Sequence, residues 1–152
     1  MHFAFDLISD LHVETWDKFD WTGQPTSPYC VVAGDVSRDP EIVMETLEHL
    51  GQQYAGVFYI DGNDEHRYYL EDLGGGYRIL NEAISDLKNV VYMQDNVVII
   101  NGVAYSHYFV TGVAGRPASS AAAQIRKTNM SCVAGHQQGL HIATANRADG
   151  AR

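Results

Sequence analysis

Tyr29-Cys30-Val31-Val32-Ala33-Gly34-Asp35 is the stretch on which the reading of this chain turns. An apolar run of strand type leads straight into a glycine and a carboxylate, so the strand would deliver Asp35 from its C-terminal end. The same arrangement occurs before and after it. His2 to Ser9 leads into Asp10-Leu11-His12, and Gly56 to Asp61 leads into Gly62-Asn63-Asp64-Glu65-His66. Asp10 and His12 are two apart, so in extended backbone their side chains point the same way. Aspartates, a histidine and an asparagine on neighbouring strand ends form a metal-ligand set. A divalent ion held there suits hydrolysis of a phosphate ester.

Outward from these strands the chain alternates. Val13 to Pro28 is expected to be a long loop whose Trp16, Phe19 and Trp21 either fold over the strand ends or fill a core edge. Asp39-Pro40 opens a helix, and Val43, Leu47, Leu50 and Tyr54 recur at helical spacing to about Gln53. A further helix is expected over Arg67 to Asp86, weakened by Gly74-Gly75-Gly76. Val90 to Met93 and Val97 to Ile100 read as short strands, and the Asn101-Gly102 turn predicts a hairpin from Val97 to Tyr105. Ser119 to Lys127 reads as a helix, Ser131 to Ala134 as a strand, and His141 to Ala145 as a last strand. Such alternation predicts an α/β layered fold, most simply one domain of 152 residues.

Composition narrows the function. Hydrophobic residues make up 45% and charged residues 19% of the chain, a globular balance. Runs such as Val97 to Ile100 are far too short to cross a bilayer, and the N-terminal residues lack a signal-peptide pattern. A cytoplasmic protein with no membrane partner is therefore expected. The net charge of -9 disfavours a broad grip on nucleic acid, yet bound metal ions would reverse the local field for a phosphorylated substrate. Cys30 and Cys132 sit in apolar stretches and read as buried free thiols.

Taken together, Asp10-Leu11-His12, Gly34-Asp35, Gly62-Asn63-Asp64-Glu65, His107 and Gly135-His136-Gln137-Gln138 resemble the signature of the calcineurin-like metallophosphoesterases. The order matches that family's Asp-x-His, Gly-Asp, Gly-Asn-His-Asp/Glu, lone His and Gly-His-x-His, from residue 10 to about 141. The resemblance implies a sandwich of mixed sheets flanked by helices and two divalent metal ions. Manganese is the first expectation for those ions, with iron, zinc, magnesium or nickel as alternatives. Asp10 and His12 would bind one ion, Asp35 would bridge, and Asn63, His107 and His136 would complete the second. Arg38 and Arg67 closely follow the second and third motifs, which suits either bidentate contact with a substrate phosphate or a surface ion pair; the expected substrate is a phosphorylated small molecule or nucleotide.

Two departures accompany the match. Asp64 stands where the family has a histidine that serves the leaving group or the phosphate, so His66 and Asp64 are the candidates for that catalytic role. Gln138 stands where the family has its final histidine, and His141 follows three residues later; either would complete the first metal. Only eleven residues follow His141, which implies a compact or truncated version whose sheet edge a homo-oligomeric partner would cover. The first expectation is a metal-dependent phosphomonoesterase or phosphodiesterase. The second is a degenerate binding or scaffold module, and action on nucleic acid ranks third.

Overall fold

The computed structural model describes residues 4–17, 23–65, 82–93, 97–110, 113–118, 120–137 and 140–145. The elements are β1 (Asp6–Ile8), β2 (Tyr29–Ala33), α1 (Pro40–Gln53), β3 (Gly56–Ile60), β4 (Val90–Tyr92), β5 (Val98–Ile100), β6 (Val103–Ser106), α2 (Ala121–Thr128) and β7 (Cys132–Ala134). Short 3-10 turns occupy Val13–Thr15 and Val113–Gly115. The α/β class expected from the alternation is what forms.

β1 to β4 make one sheet in chain order, every neighbouring pair parallel, with Leu7 opposite Val31 and Val31 opposite Phe58. A parallel sheet buries both faces, which is why β2 reads as a continuous apolar run: Cys30, Val31 and Val32 are fully buried. The period of two separates those faces. Cys30, Val32, Val57 and Tyr59 share a core with Val43, Leu47 and Leu50 of α1. Val31 and Ile60 instead meet Tyr105, with Phe58, Val98, Ile100, Val103 and Val133 packed around them. One face of the sheet thus carries α1 and the other carries β5, β6 and β7. Burying Leu47 or Leu50 stabilises by about 1.5–3 kcal/mol each.

Local signals explain the element ends. Asp39 caps α1 by accepting from the Glu41 N–H at 2.9 Å, with Pro40 in the first helical turn. β5 and β6 pair antiparallel, with Asn101 (φ 50) and Gly102 (φ 79) both left-handed, as a tight hairpin of that type needs. β7 then pairs parallel with β6, Tyr105 opposite Val133.

Several expected bounds shift. The first strand is Asp6–Ile8 within its expected span, whose residues 2 and 3 lie outside the described ones, as do Phe19 and Trp21 of the long loop. Trp16 is described, and its indole N–H donates to the Leu11 carbonyl at 2.9 Å. Of the helix expected over Arg67 to Asp86, only 82–86 are described, and 82–85 are helical. The strand expected at His141 to Ala145 does not form. Alternating residues there suit a strand, but a strand needs a partner; Leu140 and Ile142 stay 89% and 80% exposed. Among the described residues no helix is long and apolar enough to cross a membrane.

The cysteines differ from each other. Cys30 is wholly buried, and burial, with a smaller push from Asp6, raises its thiol to about 12. Cys132 is only partly buried, correcting the expectation of two buried thiols. Native protein treated with iodoacetamide near pH 8 should therefore take one label per chain, at Cys132, and two after denaturation. Equal labelling of Cys30 in mass spectra of the native protein would contradict the packing of β2.

Candidate metal centre

The site forms where β1, β2 and β3 end and where β6 and β7 end beside them. The Asp10–Val13 segment lies along Gly34–Val36, with Asp10, His12 and Val13 N–H groups donating to the carbonyls of Gly34, Asp35 and Val36 at 3.0, 3.1 and 2.9 Å. Asp10 (φ 54) and His12 (φ 45) are left-handed, not extended. The expected convergence of these side chains therefore comes from a tight turn after β1, which corrects the extended geometry read from their spacing.

Asp35 (φ 54) and His136 (φ 64) are left-handed too. This conformation costs an L-residue roughly 1–2 kcal/mol, and asparagine, aspartate or glycine relieves it at turns. Here it falls on four residues with metal-binding side chains. The same conformation occurs at Asn89, Asn101, Ala114 and Asn129, so at the site its effect is to set the direction of those four side chains.

Two glycines permit the close approach. Gly34 (φ 78) has no room for a side chain, since a Cβ there would stand 2.6 Å from the Gly62 Cα and 2.8 Å from His107 Nδ1. A Cβ on Gly62 would overlap the Asp35 carboxylate and backbone N. Gly62→Ala must therefore displace Asp35. The expected result is a loss of about 10–100-fold in metal affinity, read by titration of metal-free protein with manganese. Unchanged affinity would mean that the Asp35 position is not required.

His107 is buried at the centre of the site. Its Nδ1 is 2.8 Å from the Ala33 carbonyl, which can only accept, so Nδ1 carries a proton. Nε2 then faces Asn63 Oδ1 at 3.0 Å, Asp35 Oδ2 at 3.3 Å and His136 Nδ1 at 3.3 Å. Asn63 is oriented by donating its Nδ2 to Asp64 Oδ1 at 3.1 Å, which aims its oxygen inward. A carboxylate, an amide oxygen and two imidazoles converge here, and once His107 Nε2 gives up its proton they would all offer lone pairs. They fit a shared cation. Burial pushes the His107 pKa down, but the Asp35 and Ala33 hydrogen bonds outweigh it and leave His107 raised. Asp35 answers: burial pushes it up, while His107 and the Asp64 N–H outweigh that and leave it lowered.

Ligand-type atoms gather in three groups, each within 4.8 Å: Asp35, His107 and His136; Asp10, His12 and Asp35; and His12, Glu14 and Asp64. Asp35 belongs to the first two, the position of a bridge. Asp10 is also tied across the site, its Oδ2 accepting the His136 backbone N–H at 2.9 Å.

The structure thus brings together Asp10, His12, Asp35, Asn63, Asp64, His107 and His136. Arg38 joins them through Asp64, Nε to Oδ2 at 3.1 Å. His66, Arg67 and Gln138 lie outside the described residues. His141 lines a cavity of about 840 Å³ together with Asp10, Gly135 and Gln137, and none of the three groups contains it.

Two participants escaped the sequence reading. Glu14 joins His12 only because the chain turns at Val13–Thr15, and no sequence signal marked it. Glu65 is wholly buried and accepts three backbone N–H groups: Asp35 at 3.0 Å, Val36 at 2.6 Å and Gly62 at 2.9 Å. A glutamate three residues after a glycine at a helix start was the available sign, because Glu65 reaches back to the Gly62 N–H as in a capping box.

The fold and site define a mixed α/β protein with a carboxylate–imidazole cluster at its strand ends. A scan against family models and a search of curated proteins found no match. Among solved structures, the fold is similar to the crystal structure of the phosphopantetheinyl hydrolase PptH from Mycobacterium tuberculosis. The TM-score is 0.51 at 22% identity, over 82% of this chain and 51% of that one. This chain spans about half the length of that protein, and the likeness is one of fold.

Proposed function

We propose that this chain is a metal-dependent phosphoester hydrolase with the layered architecture of the calcineurin-like metallophosphoesterases. The observation that carries the reading is the sharing of Asp35 between two ligand groups at neighbouring strand ends. The fold likeness to a hydrolase supports it.

In this reading Asp10, His12 and Asp35 would hold one divalent ion and Asp35, Asn63, His107 and His136 the other, with Gln138 or His141 completing the first. Manganese suits the mixture of oxygen and imidazole donors. When bound, such a pair supplies a hydroxide at neutral pH and neutralises the phosphoryl oxygens. The chain's own work is positional. Ala33 fixes the His107 tautomer, Asp64 aims the Asn63 amide, and Glu65 straps the two glycine turns together. Arg38 and Arg67 are assigned to the substrate phosphate, and His66 to the leaving group.

The test measures metal content by elemental analysis and turnover of aryl phosphate mono- and diesters with added manganese. About two ions per chain with hydrolysis of at least one ester supports the proposal. Metal bound without turnover on any ester would favour a binding module, and no bound metal would remove both.

A further inference from the structure

The group His12, Glu14 and Asp64 has the composition of a third cation site, yet it already holds a cation. Arg38 Nε donates to Asp64 Oδ2 at 3.1 Å, and the same oxygen lies 3.5 Å from His12 Nδ1. The two partners are unlike in exposure: the Asp64 side chain is 7% exposed and that of Arg38 65%. Asp64 is also fixed from its other oxygen by the Asn63 amide. A carboxylate so held is an anchor, and the guanidinium on it is the part that faces outward.

We propose that Asp64 is a positioning residue that seats Arg38 at the mouth of the metal centre, making the Arg38 guanidinium an oxyanion fork for the substrate phosphate. This rests on the proposed hydrolase reading and deepens it. Among the described residues, Nε is the one guanidinium nitrogen of Arg38 with a hydrogen-bond partner, so the terminal nitrogens remain for a planar, bidentate contact. Charge favours the same arrangement. Asp10 and Asp35 in one group and Glu14 and Asp64 in the next share His12, and an anionic substrate needs a fixed positive charge on its approach to them. Arg38 is close enough to feel Asp64 first, then Glu14 and Asp35. Lysine would not serve, because a single ammonium spent on Asp64 offers no second face to the phosphate.

The experiment uses the full chain loaded with manganese and reads the affinity for inorganic phosphate by calorimetry, with metal content and ester kinetics alongside. Arg38→Met and Arg38→Lys, on a largely exposed side chain, should fold as the native chain does. Arg38→Met should weaken phosphate binding by roughly 10-fold or more while metal content stays unchanged. Arg38→Lys should recover only part of that affinity. Asp64→Asn should raise KM with a smaller change in kcat, and the Asp64→Asn, Arg38→Met pair should be little worse than Arg38→Met alone. Phosphate affinity within twofold of native in Arg38→Met overturns the proposal and leaves the hydrolase reading standing. Loss of a metal ion in Asp64→Asn but not in Arg38→Met also overturns it, by making Asp64 a ligand. A native protein that binds neither manganese nor phosphate overturns both readings.

Discussion

Asp35→Asn is expected to abolish ester hydrolysis, with a loss of about 10³-fold or more, equivalent to roughly 4 kcal/mol of transition-state stabilisation. The substitution keeps the shape and removes the charge that both ligand groups share. It also replaces one of two acceptors. Oδ1 takes the Asp64 N–H at 3.0 Å and Oδ2 faces His107 Nε2 at 3.3 Å, so an amide must turn its NH2 toward one of them. Elemental analysis of the variant should show less metal than the native chain. Activity within tenfold of native would remove Asp35 from the mechanism. The same variant gives a pH test on metal-free protein. Burial opposes ionisation of Asp35, but His107 and the Asp64 N–H prevail and lower its pKa on folding. The stabilisation is therefore present above the unfolded value near 3.8 and is lost as the pH falls through the folded one. The native chain's advantage in melting temperature over Asp35→Asn should shrink with acidification.

The second large effect is on stability. Glu65→Ala leaves the N–H groups of Asp35, Val36 and Gly62 without their acceptor in a fully buried place. An unsatisfied buried donor costs about 1–3 kcal/mol, and three at once with a cavity should cost roughly 4 kcal/mol or more. Urea unfolding followed by circular dichroism should show this, with Glu65→Gln losing less because its amide oxygen still accepts. Burial dominates the environment of Glu65 and raises its carboxyl, against the pull of the backbone N–H groups. Its role is to hold two turns in place, not to meet substrate. A loss below about 1 kcal/mol in Glu65→Ala would show that the turns hold without it.

Much of this was legible before folding because it depends on local rules. The β2 run, the Asp39-Pro40 helix start and the Asn101-Gly102 hairpin each follow from residue type and period, and each forms as expected. The strand at His141 failed for a non-local reason, since alternation says nothing about whether a partner strand is available. The apolar neighbours of Cys132 suggest burial, yet β7 lies at the edge of its sheet and leaves the thiol partly exposed.

The candidate site divides in the same way. Sequence order alone determined that Asp10, Asp35 and Asn63 would stand after strands, because a strand's end is a local event. It also determined which residue types were present for a metal. Only the tertiary structure decided that Asp35 is the shared member, that Glu65 ties the turns beneath it, and that Arg38 is seated on Asp64. The Arg38–Asp64 and Glu65–Asp35 bonds join residues 26 and 30 positions apart, and His136 reaches Asp10 across 126. Contacts at such separation are set by which strands pair and how tightly two glycines let their turns approach. No periodicity in the chain encodes that distance.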